Sequence, residues 1–600
     1  MPRYAPRFWI AAPSLAGLLL CATAFADNTL QPMAEKKNAS PRLWLRLNPS
    51  KLVPLGKASV KKTQPTLQLS NTHSQAVSRR ASARLAQAEA LVRAAYAPDT
   101  SDPRRASLLT QAGQKYNEWD LEVHQLIKAR KLSDPAYKEW ARKTWEALLV
   151  QSHAAARNLR PSVDVAKAMS GDLSRATVEQ MRDSLGKLSA PKLTDLINKT
   201  WQGLYGGARP DHEGDVLKSN PLLLLPRRAQ GTARDAATVT YKPPANLFSA
   251  KTWFGRKQYN VRRDVAFVWV PGVARTRTEF EGQQRALLEN GVLSLRADTG
   301  SWKNPFRNAF DVGAAINEAR RITGNPSVKV VLVGYSQGNN SAYSFDQAKG
   351  RNPKEAAQFA ELRRNVAMIY DLDSAARGTP MADLGVVLTK IFTGRSQEIE
   401  HIDERLHQLK QYLSLNKSAG KEKILNWLMA NRKKIDANIK KITGRTSTSF
   451  LARSRARLAD SIHDLLVGGL ESLTTYRGRE LMGSKDLARN LRHVPVLNTV
   501  GVVPVSRPDL VPTYGPLDQT PGWRFMQESL GLANDYQVPE KLQRLEPVLP
   551  GAVDLPTQAV GHWGITGIPM GKAHNAAHHR DFSPELHTYS MLEMVRRMGL

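Results

Sequence analysis

A chain of 600 residues is too long for one compact core, so two or three structural units are expected. Its 41% hydrophobic content is ordinary for a globular protein, whereas a net charge of +32 marks a surface that seeks anions: phospholipid headgroups, cell-wall polymers or nucleic acid. The single cysteine, Cys21, excludes a disulfide framework, a thiolate nucleophile and a cysteine metal site anywhere beyond it.

The first 26 residues read as a secretory signal. Arg3 and Arg7 supply a positive start, Trp9 to Cys21 a short apolar core, and Ala24-Phe25-Ala26 a small-residue cleavage site. The apolar run is too short for a membrane span, and no later segment is long enough to be one. Export, to the periplasm or the exterior, is therefore expected. Leu20 stands before Cys21 where a lipoprotein signal would want a small residue, so no lipid anchor is expected. Residues 27–75 are rich in Pro, Ser, Thr, Asn and Lys with little periodicity, which predicts a flexible basic linker.

From residue 76 to about 225 the pattern is helical, with apolar residues at three- and four-residue spacing through Ala81–Ala97, Leu121–Ile127, Trp140–Leu149 and Leu185–Ile197. This predicts a helical domain that carries no recognisable chemistry. Between 236 and 600 the composition changes. Apolar runs at Val265–Val270, Val292–Arg296, Val328–Val333, Val366–Leu372 and Val494–Val503 alternate, over the first four, with helical stretches at Thr276–Asn290, Phe310–Ile322 and Asn339–Lys349. Continuously apolar strands separated by helices imply a parallel sheet covered on both faces, an α/β domain. Residues 388–473 interrupt it with paired amphipathic helices, the second strongly basic. Such an insertion suits a lid that docks on anionic lipid, or equally a rigid decoration with a solvated face. A last amphipathic helix is expected from Pro584 to Met598.

The chemistry centres on Gly334-Tyr335-Ser336-Gln337-Gly338. A G-x-S-x-G between a buried strand and a helix is the context of a nucleophile elbow: a sharp turn presents the serine at its tip. The plain alternative is an ordinary strand–turn–helix joint with Ser336 capping the helix. A serine hydroxyl needs a base, and the base an orienting acid, which in this arrangement follow in the order serine, acid, histidine. His562, flanked by Gly561 and Gly564 after a short strand-like segment, is the base of choice. His574, His578 and His579 form a rival run. His574 and His578 have the spacing of a zinc motif, but Asn575 stands where its glutamate would be. His493 precedes the fifth strand, on the wrong side of the sheet. Asp535, in a turn-forming Asn-Asp pair, is the acid of choice, Asp373 after the fourth strand the main alternative, and Asp509 and Asp518 further candidates. Two backbone N–H groups should form an oxyanion hole: Gln337 after the nucleophile, and Val273 or Gly272 after the first core strand. No metal or cofactor is needed.

Taken together, Val268-Trp269-Val270-Pro271-Gly272, Val333 to Gly338, Asp373 to Leu384, Asn534 to Pro539 and Gly561-His562-Trp563-Gly564 resemble the α/β-hydrolase superfamily. Within it the chain is most similar to the lipase-like, GPI-inositol-deacylase-like branch, over residues 264–600 less the insertion. The branch carries its acid in an N-D-G-V-V-P-like segment and its histidine in D-H-W-G. Here Tyr536-Gln537 replace Gly-Val, and Gly561 replaces the aspartate. The resemblance implies an α/β-hydrolase fold and a serine esterase acting on lipid or phospholipid esters, with contact to an anionic membrane or envelope surface. The other class of function is a non-catalytic scaffold on the same fold. No nucleic-acid module is recognisable, because the basic residues are not interleaved with aromatics.

Overall fold

The computed structural model describes residues 67–158, 237–243, 258–273, 279–300, 303–350, 352–392, 395–399, 468–512, 519–566 and 582–599, with a few isolated positions between 404 and 437. The signal-like segment, nearly all of the expected linker, the arms of the helical insertion and the histidine run at 574–579 lie outside them.

Three helices open the described chain: α1 (Asn71–Ala95), α2 (Asp102–Lys128) and α3 (Pro135–Asn158). Ser70 caps α1, its hydroxyl accepting from the His73 N–H, so the helix begins five residues ahead of the apolar periodicity that announces it. On α2 the buried stripe is Tyr116, Trp119, Val123, Leu126 and Ile127, while Leu121, which the spacing places in the core, is 60% exposed. Trp119 and Val123 are four apart and lie on one face of the helix; Leu121, between them, points away.

A two-stranded antiparallel ribbon follows, β1 (Thr238–Tyr241) with β2 (Tyr259–Arg262). The central sheet has six strands, all parallel: β3 (Val265–Val270), β4 (Leu293–Arg296), β5 (Lys329–Tyr335), β6 (Val366–Leu372), β7 (Val496–Thr499) and β9 (Ala552–Asp554), in the spatial order β4-β3-β5-β6-β7-β9. Helices α4 (Glu281–Glu289), α5 (Pro305–Thr323), α6 (Gln337–Gln347), α7 (Pro353–Arg363) and α8 (Pro380–Phe392) connect or follow the first four strands. After the insertion come α9 (Thr475–Met482), α10 (Lys485–Asn490), α11 (Thr520–Arg524), α12 (Glu540–Gln543) and the C-terminal α13 (Pro584–Arg597). The single strand expected at 494–503 is two pieces. Only β7 joins the sheet, and β8 (Gly501–Val502) pairs instead with β10 (Gln558–Ala559) in a small parallel ribbon. This is an α/β-hydrolase fold, a parallel sheet flanked by helices.

Side chains alternate across the strands, so each face has its own core. Ala266, Val268, Val270, Val330, Leu332 and Ile369 face α5, α6 and α7. Phe267, Trp269, Val331, Val333, Met368, Tyr370, Leu497 and Val553 face the opposite way, and there the cover is α4, α13 and the N-terminal helices. Trp145 of α3 is fully buried, its ring 5.7 Å from Tyr370 of β6 and 4.9 Å from His587 of α13. Arg142 adds a bond to the Asp554 carbonyl at 3.3 Å and an ion pair with Glu546. Helices 71–158 thus share one continuous hydrophobic core with the sheet.

One buried acid stands apart from the apolar packing. Asp371, on the α6 face of β6, accepts from the Tyr343 hydroxyl at 2.6 Å and the Ser374 hydroxyl at 3.3 Å. Burial nevertheless pushes it up to about 7. A carboxyl whose folded-state pKa is raised binds its proton more tightly than the unfolded chain does, so its contribution to stability falls as pH rises from about 4 to about 7. Asp371→Asn should remove that fall, making the variant's stability relative to wild type improve between pH 5 and pH 8 by up to a few kcal/mol, at about 1.4 per pKa unit, in urea titrations. Trp145→Ala should cost about 3–5 kcal/mol in the same measurement, with the sheet and the N-terminal helices unfolding together.

Candidate active site

The carboxyl ends of the strands collect the chemistry, as they do in open parallel sheets. β5 ends at Tyr335 and α6 begins at Gln337, leaving Ser336 alone in the turn with φ 53° and ψ −123°. That is the left-handed side of conformational space, which a residue with a Cβ adopts at a cost of about 1–3 kcal/mol. The Ser336 side chain makes no capping bond to α6, so the serine is held in strain without serving as an N-cap. Its N–H donates to the Leu372 carbonyl at 3.2 Å, fastening the turn to the end of β6. Gly334 and Gly338 make the turn possible. A Cβ on Gly334 would overlap the Asn339 side chain, and one on Gly338 would run into the Val270 carbonyl of β3.

His562 lies in the loop after β10, 1% exposed. Its Nδ1 is 2.7 Å from Asp535 Oδ2, and its backbone N–H donates to the Asp535 carbonyl at 3.1 Å. Tyr335, one residue before the serine, donates its hydroxyl to the His562 carbonyl at 2.9 Å and lies 5.0 Å from the imidazole, ring to ring. The other imidazole nitrogen, Nε2, is buried and has no hydrogen-bond partner among the described residues. An imidazole whose Nδ1–H is held by a carboxylate presents Nε2 as a bare lone pair, the form a general base requires.

Asp535 is fully buried, and its two oxygens are satisfied by four donors. Oδ1 accepts the N–H groups of Gln537 at 2.8 Å and Val538 at 2.6 Å; Oδ2 accepts His562 Nδ1 and Gln543 Nε2 at 3.1 Å. Gln543 is itself braced by the Gly501 N–H and carbonyl at 2.9 and 2.8 Å. Asp373 occupies the second acid position. It is fully buried, with φ 44°, and its Oδ2 is 4.0 Å from His562 Nδ1. Burial, and then the charge of Asp535, raise its pKa well above the usual carboxylate range. Asp373, Asp535 and His562 offer ligand atoms within 4.8 Å of one another, so proximity alone would let them hold a metal ion. Each oxygen of Asp535 already accepts two N–H donors, and a cation would have to displace them.

The two oxyanion candidates lie on either side of Ser336 in different elements. Gln337 is the first residue of α6, where backbone N–H groups have no acceptor within the helix. The loop after β3 comes up against the serine: a Cβ on Gly272 would lie 3.0 Å from Ser336 Cβ, and Val273 follows, packed against Ala375, Ala382, Leu473 and Val538. The Gln337 side chain also ties the elbow to the chain returning from the insertion, with Nε2 3.2 Å from the Gly469 carbonyl. Asn340 Nδ2 donates to the Ser472 carbonyl at 3.2 Å. Of the other candidates, His493 ends a short helix ahead of β7, and Asp509 sits on the surface paired with Arg507. Asp518 lies outside the described residues.

Three contributors are invisible to motif reasoning: Gln543, Tyr335 and Tyr536. Tyr536, with φ 70°, turns its ring under Gly561 and accepts the Trp563 N–H at 2.7 Å. A Cβ on Gly561 would overlap that ring, so Gly561 and Tyr536 form one packing arrangement.

No family model matches the chain, and no curated protein matches it either. Among solved structures, a metagenomic carboxyl esterase is similar over 56% of this chain and 77% of its own, with 14% identity and a TM-score of 0.32. A Bacillus licheniformis lipase in mature form is similar over 52% and 87%, with 15% identity and a TM-score of 0.28. At such scores the overlap carries no weight for the chemistry, which rests on the residues themselves.

Strain at the elbow predicts a trade between stability and chemistry. Ser336→Gly, free to adopt positive φ, should be more stable than wild type by about 1 kcal/mol in urea, whereas Ser336→Ala, which keeps the strained turn, should match wild type.

Proposed function

We propose that the chain is a serine hydrolase of carboxylic esters, working through Ser336, His562 and Asp535. The observation that carries this is the buried imidazole: one nitrogen bonded to a fully satisfied carboxylate at 2.7 Å, the other unpaired, its backbone carbonyl tied to the hydroxyl of Tyr335, the residue before a serine held at positive φ. A buried polar atom left without a partner costs about 1–3 kcal/mol, which a substrate-dependent hydrogen bond would offset.

In this reading Ser336 Oγ attacks the ester carbonyl carbon while its proton passes to His562 Nε2. The negative charge on the carbonyl oxygen is received by the N–H groups of Gln337 and Val273. Collapse of the tetrahedral adduct breaks the bond to the alkoxy oxygen, which leaves as the alcohol after taking the proton from Nε2. Water, deprotonated by the same nitrogen, then attacks the acyl-serine and releases the carboxylic acid and free Ser336. Asp535 holds Nδ1–H throughout, fixing the tautomer. The sequence resemblance to the GPI-inositol-deacylase-like branch, the basic surface and the signal-like N-terminus favour an exported enzyme acting on lipid or phospholipid esters at an anionic envelope surface.

The test is reaction of the purified chain with a fluorophosphonate probe, beside Ser336→Ala and His562→Ala. Wild type should label and the variants should not. Hydrolysis of p-nitrophenyl esters of graded chain length should then vanish in both variants and rise with chain length. No labelling of any form, with or without anionic vesicles, would leave the non-catalytic scaffold in its place.

A further inference from the structure

Two carboxyls, not one, reach the catalytic imidazole. Asp535 arrives from the loop before α12 and Asp373 from the end of β6, and both side chains are fully buried. Their environments differ sharply. Asp535 is surrounded by four N–H donors, as described above. Neither oxygen of Asp373 has a hydrogen-bond partner among the described residues. The Gly501 N–H lies close enough to favour its charge but is bonded at 2.9 Å to Gln543 Oε1. The groups facing Asp373 from the surrounding elements are Asp535, the His562 imidazole and the phenols of Tyr335 and Tyr536, which feel its charge. None is a fixed cation. Two like charges this close in a buried site cannot both persist, and the acid lacking donors is the one that keeps its proton.

The backbone supports the same assignment. Asp373 sits at φ 44°, a strained value for a non-glycine residue, with its N–H donating to the Thr499 carbonyl at 3.1 Å. That turn aims the side chain at Gly501, where a Cβ would overlap Asp373 Oδ1. The chain therefore keeps a strained, buried, donor-poor acid 4.0 Å from Nδ1 when an apolar residue would cost less.

We propose that Asp373 is a reserve acid of the triad: a positioning residue that holds a proton while Asp535 is present and takes over the Nδ1–H of His562 when Asp535 is lost. This rests on the serine-hydrolase reading above. With Asp535 ionised, Asp373 is neutral, so the imidazole faces one negative charge rather than two and remains an effective base. With Asp535 removed, the repulsion disappears, Asp373 ionises at a lower pH than before, and a shift of about 1 Å brings the imidazole into hydrogen-bond range.

The experiment is a double-mutant cycle on the full chain, reading the rate of fluorophosphonate labelling against pH for wild type, Asp535→Ala, Asp373→Asn, the double variant and His562→Ala. Loss of a lone triad acid costs about 10⁴-fold. Asp535→Ala is expected to lose only about 100-fold or less and to gain rate with rising pH as Asp373 ionises. The double variant should fall to the level of His562→Ala and show no such limb. Equal rates for Asp535→Ala and His562→Ala, or a double variant as active as Asp535→Ala, would overturn the reserve role while leaving the triad intact. An unlabelled wild type would instead sink the hydrolase reading. Should Asp535→Ala fail to fold, Asp535→Asn retains an acceptor for the Gln537 and Val538 N–H groups and answers the same question: a rate above His562→Ala that climbs with pH supports the role, and a rate level with it overturns it.

Discussion

A negative charge without water has to be surrounded by donors, and that constraint shapes the whole carboxyl edge of this sheet. Asp535 is completely buried, and its oxygens are met by the N–H groups of Gln537 and Val538, by Gln543 and by His562. Each donor is fixed by something else. The two backbone groups come from the turn that Asp535 itself starts, Gln543 is clamped by both polar groups of Gly501, and His562 is held by its own N–H on the Asp535 carbonyl. Gly501 belongs to β8, whose pairing with β10 brings the histidine loop alongside. The departure of residues 501–502 from the main sheet therefore has a structural consequence: it creates the brace on which Asp535 and His562 both depend.

The elbow obeys a different constraint, sterics. Ser336 can stand at positive φ only if its neighbours contribute no side chain where β3 and α6 approach, and Gly334 and Gly338 meet that need against Asn339 and the Val270 carbonyl. The strain is held in place from behind by bonds from the Ser336 N–H and Asn339 Nδ2 to a single carbonyl, that of Leu372. The next residue along is Asp373. The Ser336 turn and Asp373 thus hang from the same end of β6, and movement of one would be felt by the other.

Much of this is legible in the sequence because it rests on local pattern. Uninterrupted apolar runs announce β3, β5 and β6, and G-x-S-x-G after such a run places Ser336 in its turn. What the sequence does not reveal is non-local. Gln543 looks like any polar residue of a short helix, and only the meeting of Gly501, Val538 and Asp535 around it gives it a role. Apolar spacing identifies the N-terminal helices but not their partner. Trp145 is equally at home in a self-contained bundle, and it is contact with Tyr370 and His587 that puts α3 into the sheet's own core. Leu121 shows the limit of periodicity itself: a single apolar residue between two core positions on a helix faces solvent.

Turn chemistry and chain order favour Asp535 over Asp373 in the sequence, but they do not reveal that both carboxyls come within 4.0 Å of the same imidazole nitrogen. Both positions follow strands at the active edge, and both are filled. The structure separates them by solvation rather than by distance alone: 2.7 Å with a full set of donors on one side, 4.0 Å with unsatisfied oxygens on the other. While it keeps its proton, a carboxyl adds no negative charge beside a neighbouring imidazole. In a buried cluster the number of acids and the number of charges are separate quantities: the fold sets the first at two, while burial and the neighbouring Asp535 push the pKa of Asp373 well above the usual carboxylate range.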